Sequence, residues 1–220
     1  MHPLDRPVRS ALTSRQSPLC VGDERASRFP VDVSPLAGGD DAHALAALIP
    51  EADDISLLQV APPSAPATVR VLKSAVCLQM IAPAMTRGGG EALLEPLGDG
   101  DAAEMLALAT LTRPGPFRAR THTLGRFLGI RDEGRLVAMA GERLNVEGFH
   151  EISAVCTHPD YRGRGYGAAL MRAVGARMLD EGDTPFLHTY ADNAPAIALY
   201  RSLGFEVRTE VVHEVWARTI

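Results

Sequence analysis

Two spacings of apolar residues organise the second half of the chain. Leu170, Met171, Val174 and Met178 recur three and four apart, the mark of one buried helix face. Segments 128–132, 136–144, 151–157 and 186–191 are short and either densely apolar or alternating, as strands are. Glu133-Gly134-Arg135 joins the first two as a hairpin turn. A helix follows 151–157 and runs to about Leu179, where Gly182 is placed to end it with a left-handed residue. A second helix opens at Asp192 or Asn193, takes Pro195 in its first turn and closes at Gly204. Segments 205–207 and 211–217 read as closing strands.

Upstream the pattern is weaker. Residues 1–39 are polar and punctuated by Pro and Gly, with one short strand expected over 29–33. Asp40 or Asp41 caps a helix through Leu48, which Pro50 ends. Residues 55–60 read as a strand, and the proline cluster 62–66 as a loop. One or two strands are expected within 69–82, and Arg87-Gly88-Gly89-Gly90 interrupts the chain. Asp99 or Asp101 caps a helix to about Leu111, which Pro114-Gly115-Pro116 stops, and a short helical piece is expected over 118–124. Strands and helices that alternate in this way predict an α/β fold, an α+β mixed sheet.

Composition narrows the function. The 220 residues suffice for one domain, or one with a smaller partner. A net charge of −5 with both signs interspersed argues against a nucleic-acid surface. Lys73 is the sole lysine, a bias that base composition explains. Cys20, Cys77 and Cys156 are few and far apart, as free thiols in a reducing compartment are, and no metal site is expected. Neither a membrane span nor a secretory leader is visible, so a cytoplasmic protein is expected.

The chemistry concentrates in His158-Pro159-Asp160-Tyr161-Arg162-Gly163-Arg164-Gly165-Tyr166-Gly167-Ala168. Glycines at a strand-to-helix junction let backbone N–H groups face open space. The helix start adds unpaired N–H groups and partial positive charge, and together these make an anion site suited to phosphates. By strand alternation Glu151, Ser153, Val155 and Thr157 share one face, and Ile152, Ala154 and Cys156 the other. Glu151 is then a carboxylate on the face of whatever the strand's far end binds. Tyr200 lies on one helix face with Ala196, Leu199 and Leu203, either as a core-edge aromatic or as a proton donor aimed into a cleft. Gly163-x-Gly165-x-x-Ala168 also satisfies a dinucleotide fingerprint, with Asp183 about twenty residues on. Pro159 to Arg162 intervene between strand and glycines, however, and Asp183 precedes the next strand, which argues against an NAD-binding oxidoreductase.

Arg162-x-x-Gly165-x-Gly167 resembles the acyl-CoA signature of the GNAT N-acetyltransferase superfamily. Asn193-x-x-Ala196-x-x-Leu199-Tyr200-x-x-x-Gly204-Phe205 resembles its second hallmark, about thirty residues downstream. The resemblance covers 74–220, leaving 1–73 as an N-terminal region that packs on the core, either as an extension or as a degenerate acetyltransferase-like half. It implies a split, mostly antiparallel central sheet flanked by helices, with acetyl-CoA as co-substrate in the split. The backbone of Val155, Cys156 and Thr157 would line the pantetheine arm. Arg162, Gly163, Arg164, Gly165, Tyr166, Gly167 and Ala168 would form the diphosphate turn, and Asn193 would contact the arm. Tyr200 matches the family's usual general acid, and Glu151, eleven residues before Arg162, stands where some members carry a catalytic base. Other members use different residues or a water chain. The implied reaction is direct acetyl transfer in a ternary complex to an amine on a small molecule or peptide. A non-catalytic acyl-CoA-binding module keeps the same motifs, and a homodimer is compatible with all of this.

Overall fold

The computed structural model describes residues 2–86, 88 and 93–219. In chain order the elements are α1 (Pro7–Leu12), β1 (Val21–Gly22), β2 (Ala26–Arg28), β3 (Leu36–Gly39), α2 (Ala42–Ala47), β4 (Ile55–Gln59), β5 (Val69–Ile81) and β6 (Glu95–Leu97). Then come α3 (Ala102–Thr112), β7 (Phe127–Asp132), β8 (Arg135–Val146), β9 (Phe149–Thr157), α4 (Tyr166–Asp180), β10 (Thr184–Tyr190), α5 (Ala194–Ser202) and β11 (Glu206–Arg218). The strands form a single sheet in the order β1-β2-β3-β4-β11-β5-β10-β9-β8-β7-β6. Among the described residues only β3–β4 and β9–β10 pair in parallel, so the sheet is mostly antiparallel.

Local signals fixed most boundaries. Asp41 caps α2 by accepting from the His43 and Ala44 N–H groups. Asn193 caps α5 through the Ala196 N–H, and Pro sits in that helix's first turn. Glu133 and Gly134 both take positive φ in the two-residue β7–β8 turn. On α4 the stripe Leu170, Met171, Val174 and Met178 is fully buried against β5, β8, β9 and β10. Each of those side chains contributes about 1.5–3 kcal/mol of burial.

Helices cover both faces. α4 packs on one face, with Leu199 and Tyr200 of α5 and Leu203 at its C-cap beside it. On the other, α1 packs Val8 and Leu12 against Cys77, Leu144, Phe186 and Val211. α3 packs Met105 and Leu108 over Met139 and Cys156. β4 joins the N-terminal strands to β11, and β5 runs unbroken through residues 73 and 74. Among the described residues no helix is long and apolar enough to cross a membrane.

Some sequence expectations needed correction. The strand expected over 29–33 is a turn between β2 and β3: Pro30 has no N–H for a ladder, and the Val33 N–H bonds back to the Pro30 carbonyl. The two closing strands are one, β11, with a register shift between Val207 and Thr209 that turns Arg208 inward. The 69–82 region, expected to hold one or two strands, holds one, Val69–Ile81. The interruption at Arg87, Gly89 and Gly90 lies outside the described residues.

Candidate active site

The sheet opens between β9 and β10. These strands pair only from Thr184↔Phe149 to Phe186↔Glu151. Beyond Glu151, β9 stays with β8 as far as Thr157, while β10 follows β5 to Tyr190. The cause is a bulge in β9. Ala154 has φ 54, and the register with β8 shifts between Met139 and Gly141. An L-residue held there costs roughly 1–2 kcal/mol, and such strain persists where a site needs the bend.

The bulge also corrects the expected face assignment. Ile152 and Val155 both pack towards α4, whereas Ala154 and Cys156 pack under α3. Alternation from Ile152 puts Glu151 on the α3 side, so it shares a face with Cys156, not with Val155 and Thr157.

A cavity of about 910 Å³ runs through the opening. On the α4 side its wall includes Ile152, Val155, Gly167, Leu187, Thr189, Asn193 and Tyr200. On the opposite side it includes Ser56, Lys73, Cys77, Arg143, Tyr190 and His213. Pro35, Leu36, Asp54 and Leu58 add to the wall, so residues before 74 help to enclose it.

At one end lies the glycine turn. Gly163 and Gly165 both sit at φ +78, and Gly165 is the N-cap of α4. A Cβ on either would point into open space. Among the described residues, none of the N–H groups from Gly163 to Ala168 donates to a protein acceptor. Unpaired N–H groups at a helix start, with room in front of them, fit a diphosphate. Arg164 stacks 4.7 Å above the Tyr161 ring, and Tyr161 donates to Asp132 at 2.8 Å, so the turn is braced from outside. Arg162 lines the cavity, and Tyr166 packs on the α4 core.

This geometry gives a sharp test. Gly165→Ala should lower the affinity of the turn for a diphosphate ligand at least about tenfold in calorimetry, because alanine is strained at φ +78 and would shift the turn that carries the amides. Gly182→Ala imposes comparable strain at φ +86, remote from the turn. Both variants should lose a few degrees of Tm, at roughly 1–2 kcal/mol, but Gly182→Ala should bind normally.

Of the side chains expected to do chemistry, Tyr200 lines the cavity, and its hydroxyl has no protein partner among the described residues. Burial pushes its phenol up, which keeps it protonated. Asn193 also lines the cavity while its Oδ1 caps α5 at 3.4 Å. Burial pushes the Cys156 thiol up to about 11, the opposite of what a nucleophile needs.

Glu151 does not reach the cavity. It is fully buried, and the Arg143 guanidinium grips both its oxygens at 2.7 Å. The His188 Nδ1–H donates to Oε1 at 2.6 Å, and His188 Nε2 faces the Gln79 amide nitrogen at 2.9 Å. Burial alone would raise the carboxyl, but the Arg143 charge, with hydrogen bonds from Arg143 and His188, carries it down to about 2. Glu151 is thus the hub of a buried network at the last β9–β10 pair, where the strands part.

Sequence reading missed Arg143, His188, Tyr190 and His213. The available signal was polar residues set within otherwise apolar strands. Tyr190 Oη faces His213 Nδ1 at 3.1 Å and accepts from Lys73 Nζ at 2.9 Å. Burial, then the charges of Lys73, Arg143 and His188, hold the His213 imidazole down at about 4, so it is neutral at pH 7.

Comparisons with known proteins point the same way. A family model described as FR47-like protein matches residues 127–217. Mycothiol acetyltransferase from Corynebacterium aurimucosum is 43% identical over 72 residues, which span 32% of this chain and 23% of that protein. N-alpha-acetyltransferase RimI from Mycobacterium tuberculosis is 39% identical over 85 residues, 36% of this chain and 51% of that one. The chain therefore spans only a quarter to a half of the length of these curated relatives. A GCN5-related N-acetyltransferase structure from Kribbella flavida shares the fold, at 18% identity and a TM-score of 0.64 over 95% of each chain. A crystal structure from Novosphingobium aromaticivorans, assigned to the GNAT family, is 41% identical and superposes at a TM-score of 0.94 over 100% of both chains. Likeness of that extent, in a sheet that parts beside a glycine turn, makes this chain a member of the GNAT family of acetyltransferases.

Proposed function

We propose that the chain moves an acetyl group from acetyl-CoA to an amine, directly, within a ternary complex. The observation that carries this reading is the run of unpaired N–H groups from Gly163 to Ala168 at the mouth of a split sheet. The residues fit the co-substrate. Gly163 to Ala168 would hold the diphosphate, with Arg162 beside it. The edge of β9 left unpaired by β10, at Val155, Cys156 and Thr157, would pair with the pantetheine amides as an added strand does. Asn193 would meet the same arm from α5. When bound, acetyl-CoA supplies the acetyl group as a thioester.

The protein's own groups then divide the work. The Val155 N–H, on the freed edge after the bulge, would stabilise negative charge on the acetyl oxygen. Tyr200 holds a proton on its hydroxyl and gives it to the departing sulfur. Glu151 acts at one remove. Its carboxylate fixes Arg143 and His188, and so fixes the apex of the split, without taking the amine proton itself. An ordinary amine with a pKa near ~10.4 is mostly protonated at pH 7. The neutral form attacks, and the proton can leave through solvent in the cavity.

The relatives' names are mycothiol acetyltransferase and N-alpha-acetyltransferase. They support an amine acceptor here without choosing one. Thermal unfolding tests the binding half of the reading. At one hundred times Kd, acetyl-CoA should raise Tm by about 5–10 °C, from ~2.7 kcal/mol of linkage, while NAD should leave it unchanged. Release of free thiol across a panel of amines tests the transfer. Stabilisation by NAD instead, or acetyl-CoA binding without turnover of any amine, would count against an acetyltransferase.

A further inference from the structure

The wall of the cavity opposite the glycine turn has a charge pattern that acetyl-CoA does not use. Its charged side chains are Asp54, Lys73, Arg113, Arg118, Arg143 and, towards the turn, Arg162. Arg118 is taken up by Asp53 at 2.8 Å. Asp54 stands at the start of β4 beside Asp53 and Arg118, and is not among the charges acting on His213.

Around His213 the groups are donors. The Lys73 ammonium lies 4.2 Å above the Tyr190 ring and bonds to its hydroxyl, and among the described residues it has no carboxylate partner. Arg143 spends Nε and one N–H of Nη2 on Glu151. Among the described residues its Nη1 has no protein acceptor and is not one of the buried unpartnered atoms, and Arg143 lines the cavity. Tyr190 Oη lies 3.1 Å from His213 Nδ1, and in the tautomer where the hydroxyl donates to Nδ1 the imidazole carries its proton on Nε2; His213 lines the cavity. An ammonium, a guanidinium edge and an imidazole thus line one end of the cavity; among the described residues Arg143 has the buried Glu151 as its carboxylate partner and Lys73 has none, and a further anion, Asp192, acts on Cys77 in the same wall. Lys73 is exposed and Arg143 and His213 are buried along this wall, and cations with donors to spare bind carboxylates well.

We propose that the acceptor is an amino acid or a related amino-carboxylate, whose carboxylate seats between Lys73, Arg143 and His213 while its amine points to the split. This rests on the acetyl-transfer reading for the amine, but the carboxylate seat stands on its own geometry. It also orders the acceptor: anchoring the acid end at this wall leaves the opposite end to reach the thioester carbon between β9 and β10.

Two measurements on the full chain decide it. In the first, N-acetylglycine and its neutral twin N-acetylglycinamide are titrated while the His213 ring resonances, assigned with His213→Gln, are followed by NMR. N-acetylglycine should shift them saturably and the amide should not, and Lys73→Met should weaken the shift about tenfold, with Lys73→Arg restoring it. In the second, free-thiol release from acetyl-CoA is compared for amino acids and their primary amides. The acids should be favoured in kcat/KM by about tenfold or more, although the amides carry the more easily deprotonated amine, and Lys73→Met should bring the ratio near one. Unmoved His213 resonances overturn the carboxylate seat even if amines are acetylated. Equal use of acids and amides overturns the substrate class. If acetyl-CoA itself fails to bind, the transferase reading falls, and the NMR titration still decides the seat.

Discussion

Tyr200→Phe should lower kcat by about 100-fold or more while the Kd for acetyl-CoA stays within about twofold. Such a loss is about 2.7 kcal/mol of transition-state stabilisation, the scale of a single positioned proton donor. The substitution suits the question, because the hydroxyl has no protein partner to orphan among the described residues. The ring's contacts with Phe205 and the α5 core survive in Phe. Tm should therefore hold. The pH–rate profile gives a second readout. Burial keeps the phenol protonated beyond its usual range, so the wild-type rate should fall only at strongly alkaline pH, and that limb should vanish in the variant. Undiminished turnover would remove Tyr200 from the mechanism.

Glu151→Ala should be the most destabilising single change at the split. It would leave the Arg143 guanidinium buried without its carboxylate, a loss of about 3–5 kcal/mol, or roughly 10 °C in Tm for a chain of this size. Glu151→Gln keeps the shape but not the charge, and should also destabilise. The pH dependence follows from the direction of the shift. The folded carboxyl is depressed to about 2 from 4.5. Its contribution is therefore complete above about pH 4.5 and is lost as pH falls towards 2. Wild type should lose stability steeply over that range, and the variants should lose less. The pH–rate profile near neutrality should keep its shape in Glu151→Gln, with kcat lowered, since the carboxylate positions Arg143 and His188 and does not titrate there. A neutral-range limb that disappears in Glu151→Gln would restore a direct base role.

What the chain disclosed in advance was whatever a few neighbouring residues decide. The caps, read as Asp40 or Asp41 and as Asp192 or Asn193 and found to be Asp41 and Asn193, the turn at Glu133-Gly134 and the α4 stripe all depend on contacts within a turn or two of chain. The glycine turn was legible for the same reason: Gly163 and Gly165 take conformations that only their own backbone freedom makes easy. The bulge at Ala154 was not, because Ser153-Ala154-Val155 carries no residue that favours positive φ. The distortion is imposed by the mismatch between β8 and β9. Missing it put Glu151 on the wrong face and made a buried, paired carboxylate look like an exposed base. Its partners lie 8 and 37 residues away, and the Lys73–Tyr190–His213 cluster spans three strands. Tertiary pairing alone brings such groups together.

The most direct measurement is a crystal structure of the chain with coenzyme A. The diphosphate should lie within hydrogen-bond reach of the amides between Gly163 and Ala168, with the pantetheine arm running along Val155 to Thr157 in the opening between β9 and β10. A diphosphate bound elsewhere, with that turn making no contact to it, would contradict the proposed catalytic site.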